Sequence, residues 1–314
     1  MKNMKFKLKI AIGLMLCLTL IEIAIRLSGI VDFPLYDANN KIGYIPKPNQ
    51  SGSFLRSHDW QFNSLSMGAP EFKPTASVDV LLIGDSVVLG GNPYRQADRL
   101  GPQLQKISGE NVWPISAGSW ALRNELHYLN SHLTVVSSID QLIFVLNSAD
   151  FEEASSWSCE ETHPRSHPVY ATAYVIKKYL YNWSPCKATP VDLKVPSGDW
   201  KAELKEFLQN NPTIGKKVSF FLYPDKAEAT NETLRAQKLE DYATELAVSG
   251  AEEIFSVGRD PRWNELFYRD GIHPTEKGTE VLAHIIHSPM QEDILLKKAS
   301  SLSIVVPKIE QQFK

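Results

Sequence analysis

Five short apolar runs set the limits on what this chain can fold into. They are Val78–Ile83, Asn111–Ser116 ("NVWPIS"), Gln141–Leu146 ("QLIFVL"), Lys217–Tyr223 ("KVSFFLY") and the shorter "AEEIFSV" at 251–257. The first is β-branched and nearly continuous, as a strand covered on both faces of a parallel sheet must be. Between the runs the apolar spacing turns helical, over Arg99–Ser108, Ala121–Val136, Asp199–Asn210 and Asn231–Ser249, and again over Thr275–His287 after the last run. Gly250 stands where a helix C-cap belongs. Strands alternating with helices build an α/β domain, a mostly parallel sheet with helices on both faces. A chain of 314 residues, 43% hydrophobic, allows one large domain of this kind or two smaller ones.

The N-terminus departs from that pattern. Lys2, Lys5, Lys7 and Lys9 precede an apolar run from Ile10 to Ile21, which Ile23, Ala24 and Ile25 continue. Leu8 to Leu27 just reaches the roughly 20 residues that a membrane span requires. Glu22 and Arg26 are four apart and can pair on one helix face. The lysines place the N-terminus in the cytoplasm. The chain then crosses the inner (cytoplasmic) membrane once, through residues 8–27, with its folded domain in the periplasm or cell exterior. A cleaved signal peptide is the rival, although "IEIAIRLSGIVDF" offers no small-x-small cleavage site. Either way the domain is exported. The net charge of −3 gives no reason to expect a nucleic-acid partner.

Residues 1–30 are thus an anchor or signal. Residues 31–76, with "NKIGYIPKPNQSGSF" at their centre, have the punctuation of a linker that runs over the surface. The α/β domain occupies 77–290, an insertion at 151–198 interrupts it, and a tail follows at 291–314, where "SLSIVV" would add an edge strand. The insertion is rich in Trp, Tyr, Pro, Ser and His, and such an insertion is more often functional than a random loop. Trp157, Tyr170, Tyr174, Tyr179, Tyr181 and Trp183 would either line a carbohydrate groove or pack a small core of their own. Cys17 lies in the apolar run as a small hydrophobe. Cys159 and Cys186 would form a disulfide in an exported domain; free thiols, or a zinc site with His163 and His167, are the alternatives.

The first apolar run ends on Gly-Asp-Ser (84–86), and parallel sheets bind ligands beyond the carboxyl ends of their strands. Ser86 is therefore placed as a nucleophile that needs a base. "YRDGIHPTEKG" supplies one. Asp270 and His273 are three apart across a turn that Gly271 permits, and Pro274 suits the first helical position. Asp270 can orient Nδ1 of His273 while Nε2 faces Ser86, the roles of a Ser-His-Asp triad. Gly118 follows the second strand and Asn147 the third. The Gly118 backbone amide and the Asn147 side-chain amide, with the Ser86 backbone amide, would form an oxyanion hole.

With "GDS" at Ser86, Gly118, Asn147 and "DGIHP" at Asp270 and His273, the sequence resembles the SGNH, or GDSL-type, hydrolases over roughly 78–287. The resemblance implies a flavodoxin-like three-layer α/β/α domain, an acyl-enzyme ester mechanism and no metal or organic cofactor. Two departures stand out: the third motif reads Val145-Leu146-Asn147-Ser148 in place of Gly-x-Asn-Asp, and Trp120 replaces the Asn often found two residues after the second-motif Gly. The anchor followed by "IGYIPKPNQSGSF" is also similar to exported members associated with bacterial surface polysaccharides. Three functions follow. One is an esterase that removes acetyl or similar acyl groups from a surface glycan. Another is an O-acyltransferase using the same triad. The third is a glycan-binding protein that leaves the triad idle. For either enzyme, activity rises as His273 loses its proton.

Overall fold

Segment 31–76 is not a surface linker. The computed structural model describes residues 2–75, 77–181, 186, 188–212 and 217–302, and it folds this segment into two antiparallel hairpins. Strand β1 (Tyr36–Asn39) pairs with β2 (Gly43–Pro46), and β3 (Gln50–Phe54) with β4 (His58–Phe62). Residues 40–42 and 55–57 make the two hairpin turns, while Tyr36, Tyr44, Ile45 and Met67 go into the main core. Apolar residues spaced for short hairpins lack the longer periodicity that marks a core element, so the composition looked like a linker's.

The five apolar runs form one sheet. Its strands are β5 (Asp79–Gly84), β6 (Asn111–Ser116), β7 (Gln141–Leu146), β8 (Val218–Leu222) and β9 (Glu253–Ser256). They lie in the order β6-β5-β7-β8-β9, all parallel. Successive residues of each strand serve opposite faces. Leu81, Ile83, Ile115, Phe144 and Phe220 join one core with Leu126, Leu204 and Phe207 of the helices above. Val80, Leu82, Val112, Ile143 and Phe221 join the other with Leu100, Leu104, Leu282 and Ile286 below. The result is the three-layer flavodoxin-like arrangement, in which the chain leaves the first strand in opposite directions and opens a crevice at the carboxyl ends.

The helices keep their places with some changes. Asp199 caps Trp200–Asn210 by accepting the Lys201 amide. The helix expected at 231–249 contains a π-helical stretch at Ala236–Glu240, which brings Arg235 and Glu240 onto one face at 3.2 Å. The expected helix at 121–136 breaks at His132 into Leu122–Ser131 and Leu133–Val136. The final helix does not stop at His287. It runs over Glu276–Leu302, through Pro289. The edge strand expected at 301–306 therefore begins in that helix and otherwise lies outside the described residues.

The N-terminal helix spans Lys2–Leu27, and its stretch Met4–Leu27 is long and apolar enough to cross a membrane. Its last turns are tied to the domain. Arg56, in the turn between β3 and β4, donates to the Leu27 carbonyl at 3.2 Å. Ile25 packs beside Val31, Phe33 and Ala171.

Candidate active site

Strand register brings the three motif ends together. Gly84 of β5 pairs with Ser116 of β6 on one side and Val145 of β7 on the other. Ser86, Gly118 and Asn147 each lie two residues past that row, so the sheet delivers all three to one edge. Gly84 must be a glycine: a Cβ there would sit 2.6 Å from Val88 Cγ2 and 2.9 Å from the Val145 carbonyl oxygen. That close approach turns the chain into the short helix Ser86–Leu89, which Asp85 caps by accepting the Val87 amide at 2.8 Å.

The fourth piece comes from the loop before the last helix. Tyr223, just past β8, donates its hydroxyl to the Ile272 carbonyl at 2.7 Å, and the Lys226 amide donates to the Gly271 carbonyl at 2.9 Å. Tyr94 donates to the Pro274 carbonyl. Held in this way, Asp270 and His273 face Ser86. Asp270 lies 2.9 Å from His273 Nδ1 through Oδ2, and His273 Nε2 lies 3.0 Å from Ser86 Oγ. A carboxylate can only accept, so the ring proton belongs on Nδ1 and Nε2 is free to accept from the serine hydroxyl. Burial opposes ionisation of Asp270, but the amides of Ile272 and His273 and the imidazole outweigh it and hold the carboxyl below its ordinary range. Ser86 Oγ has a second acceptor, Asp85 Oδ2, at 3.2 Å.

Gly118 is pinned from its carbonyl side. The Tyr44 hydroxyl donates to that oxygen at 2.7 Å, and His163 Nε2 approaches it at 3.2 Å. The Gly118 amide has no acceptor among the described residues, and the following Ser119 takes a left-handed φ of 61°. Trp120 is buried, and its indole N–H donates to the Tyr44 carbonyl at 2.6 Å. The departure at Trp120 therefore belongs to the docking of β2.

Asn147 is more constrained than expected. Its side-chain amide donates to Asp85 at 3.1 Å and to Asp150 at 2.9 Å, so both its hydrogens already have carboxyl acceptors. One of these bonds must be exchanged before Asn147 can serve an oxyanion. Asp150 also accepts the Asn147 backbone amide at 2.7 Å. Burial, and then the nearby Asp85, push Asp150 and the buried Glu125 well above the ordinary carboxylate range. An oxyanion donor is typically worth about 10²–10³ in kcat. Asn147→Ala should therefore lower turnover by about that factor with KM little changed; a rise in KM with kcat unchanged would remove it from the hole.

The insertion residues do not assemble as one unit. Cys159 and Cys186 are joined as a disulfide with Cα atoms 5.3 Å apart. His163 packs tilted against Tyr44 with ring centroids 3.9 Å apart and His167 lies 5.8 Å from the Phe33 ring, so the four candidate zinc ligands do not converge. The aromatic residues separate as well. Trp157 is buried under Arg165 and Tyr174 packs on Phe33, whereas Tyr170 and Tyr181 face solvent. Trp183 lies outside the described residues. Among the described residues, no single groove is lined by this set.

Several contributors were hidden in the sequence. Tyr44 lay in a stretch that looked like linker, and Asn124 in a helix without motif. Asn124 is fully buried and joins three segments, donating to the Ile42 and Ser155 carbonyls and accepting the Ser155 amide, each at 2.8 Å. Burial pushes the His163 imidazole down to about 4, against the raising effect of the Gly118 carbonyl. A group with a depressed folded value binds fewer protons folded than unfolded. Its contribution is present above the ordinary value of 6.5 and is lost as pH falls towards about 4. His163→Phe should therefore flatten the loss of melting temperature across that window; an unchanged acid limb would count against the buried neutral imidazole.

No protein-family model matches the sequence, and no curated protein matches it. Solved structures do. One is a protein assigned as an SGNH hydrolase from Slackia heliotrinireducens, 16% identical, with a TM-score of 0.36, covering 68% of this chain and 99% of that one. Another is an acetyl xylan esterase from Butyrivibrio proteoclasticus, 13% identical, with a TM-score of 0.39, covering 71% of this chain and 66% of that one. A third is the salicylyl-acyltransferase SsfX3 of a tetracycline biosynthetic pathway, 12% identical, with a TM-score of 0.40, covering 71% and 56%. SGNH and GDSL-type proteins and carbohydrate esterases recur among these structures.

Proposed function

We propose that the chain is a membrane-anchored serine esterase that removes acetyl or similar short acyl groups from a cell-surface polysaccharide. The observation that carries this is the continuous Asp270–His273–Ser86 relay, at 2.9 and 3.0 Å, with the unbonded Gly118 amide beside it at the same sheet edge. In the first half-reaction Ser86 Oγ attacks the ester carbonyl while His273 Nε2 takes its proton. The negative charge on the former carbonyl oxygen falls to the Ser86 and Gly118 amides, with Asn147 as a third donor once it releases a carboxyl. His273 then returns the proton to the departing alcohol. Water repeats the sequence on the acyl-serine and restores the enzyme. Asp270 is 49% and His273 27% exposed, so the site opens at the surface and suits an acyl group carried on a bulky alcohol such as a sugar.

Retention of the N-terminal helix belongs to the same proposal. Glu22 accepts the amides of Ala171 and Thr172 and the Thr172 hydroxyl, each at 2.8 Å, and Arg26 donates to the Val169 carbonyl at 2.7 Å. Cleavage after the helix would strip these partners from the folded domain.

The test is acetate release by the full chain in phospholipid nanodiscs, from nitrophenyl acetate and from an acetylated oligosaccharide. Continuous turnover of both supports the esterase. A single burst, followed by turnover only when a deacetylated oligosaccharide is added, would replace hydrolysis with acyl transfer. No release from either would overturn the enzyme altogether.

A further inference from the structure

The described exposed apolar side chains beyond the N-terminal helix are unevenly spread. Six of the eleven large ones fall within 169–181: Val169, Tyr170, Ile176, Tyr179, Leu180 and Tyr181. Four of these are 70–80% exposed. They sit on and around helix Ala171–Val175 and the π-helical stretch Ile176–Leu180 that continues it. This helix is amphipathic in an unusual sense. Ala171 and Tyr174 pack towards Phe33 and the domain, while Ala173, Ile176 and Leu180 face outward at helical spacing beside Lys177, which pairs with Glu161. Apolar residues gathered on an exposed stripe mark a surface that something else covers.

What covers it follows from where the helix is fastened. Its first turn is bonded to Glu22 and the preceding residues Pro168 and Val169 to Arg26, at 2.7 to 3.1 Å. Glu22 lies five residues before the helix end at Leu27, which is about 7.5 Å along the axis at about 1.5 Å per residue. If the N-terminal helix crosses the bilayer and ends at its surface, the insertion is held at that depth. An interfacial helix buries its apolar face about 5–10 Å into the boundary between headgroups and acyl chains. Tyrosines are enriched at that boundary. A charged Glu22–Arg26 pair at such a level needs protein partners, and the amides of Ala171 and Thr172 provide them.

We propose that segment 169–181 is a second membrane contact. It lies in the outer face of the same bilayer that the anchor crosses and dips Val169, Tyr170, Ile176 and Leu180 into the lipid. The occupant is phospholipid. The contact adds a second point of attachment beside the anchor, to which the segment is already fastened through Glu22 and Arg26. The proposal rests on the anchor being retained and spanning.

The experiment uses the full chain in vesicles of phosphatidylethanolamine and phosphatidylglycerol. In a Cys17→Ser background, which leaves the Cys159–Cys186 bond in place, a nitroxide is attached to Tyr170→Cys or Leu180→Cys. Leu14→Cys reports on the anchor and Leu266→Cys, an exposed site on the domain, on water. Collision rates with oxygen and with a water-soluble nickel chelate are then compared. Labels at 170 and 180 should favour oxygen over nickel several-fold relative to 266, at a depth shallower than 14. Labels at 170 and 180 as aqueous as 266, with 14 in hydrocarbon, would overturn the second contact and leave the anchor standing. Shielding of 170 and 180 from both reagents would mean that another protein copy covers the stripe, and would also overturn it. An aqueous label at 14 would remove the anchor and this proposal with it.

Discussion

Ser86→Ala is expected to reduce kcat for ester hydrolysis by about 10⁶-fold, the order seen when a triad nucleophile is lost. The size of the effect follows from the chemistry. Alanine offers no atom to form the acyl-enzyme, so a water molecule must attack directly with only the oxyanion donors to help. Residual catalysis of about 10³–10⁴ over water is what such donors and binding supply alone. The fold should not notice. Ser86 is the first residue of a short helix whose cap is the Asp85 side chain, and among the described residues its hydroxyl serves only Asp85 and His273. Steady-state rates and thermal unfolding of the two proteins, measured side by side, check both halves. Equal rates would end the nucleophile assignment, and a large drop in melting temperature would mean that the activity loss reports misfolding.

The largest stability effect is expected from Gly43→Ala. Gly43 opens β2 with φ at +87°, a conformation that strains any other residue. A Cβ there would lie 2.1 Å from the Ser155 carbonyl oxygen and 2.9 Å from the Asn124 side-chain nitrogen. Neither neighbour can yield cheaply: the oxygen is backbone, and the Asn124 amide is already bonded to the Ile42 and Ser155 carbonyls. Overpacking alone costs about 1–3 kcal/mol, and the lost backbone conformation and hydrogen bonds add to it. A loss of about 3 kcal/mol or more in denaturant unfolding is expected. Activity should fall as well, because β2 carries Tyr44, whose hydroxyl pins Gly118. A change below about 1 kcal/mol would mean that the first hairpin is not seated against the insertion.

The two variants probe parts of the molecule that were unequally visible beforehand. Ser86, Gly118, Asn147, Asp270 and His273 could each be located from the chain, because each follows a strand or precedes a helix whose periodicity is local. Parallel pairing then converts position along the chain into position in space: the row Gly84, Ser116 and Val145 sets three of the five at one edge. The approach segment was misjudged for the converse reason. Its strands are four or five residues long, and what makes Tyr44 important is a glycine 74 positions away. The insertion aromatics were misjudged as a set because composition says nothing about which face each ring takes.

By itself the sequence determined the α/β alternation, the apolar N-terminal helix and the order of the catalytic candidates, since these depend on short-range periodicity and turn chemistry. Tertiary structure alone decided the rest. It brought Tyr44 and His163 to the Gly118 carbonyl, placed the Asn147 amide between Asp85 and Asp150, and fastened Glu22 to the insertion 149 and 150 residues on. Those contacts join single polar groups across long separations. A buried polar group must find a partner, but nothing in its neighbours along the chain says which one.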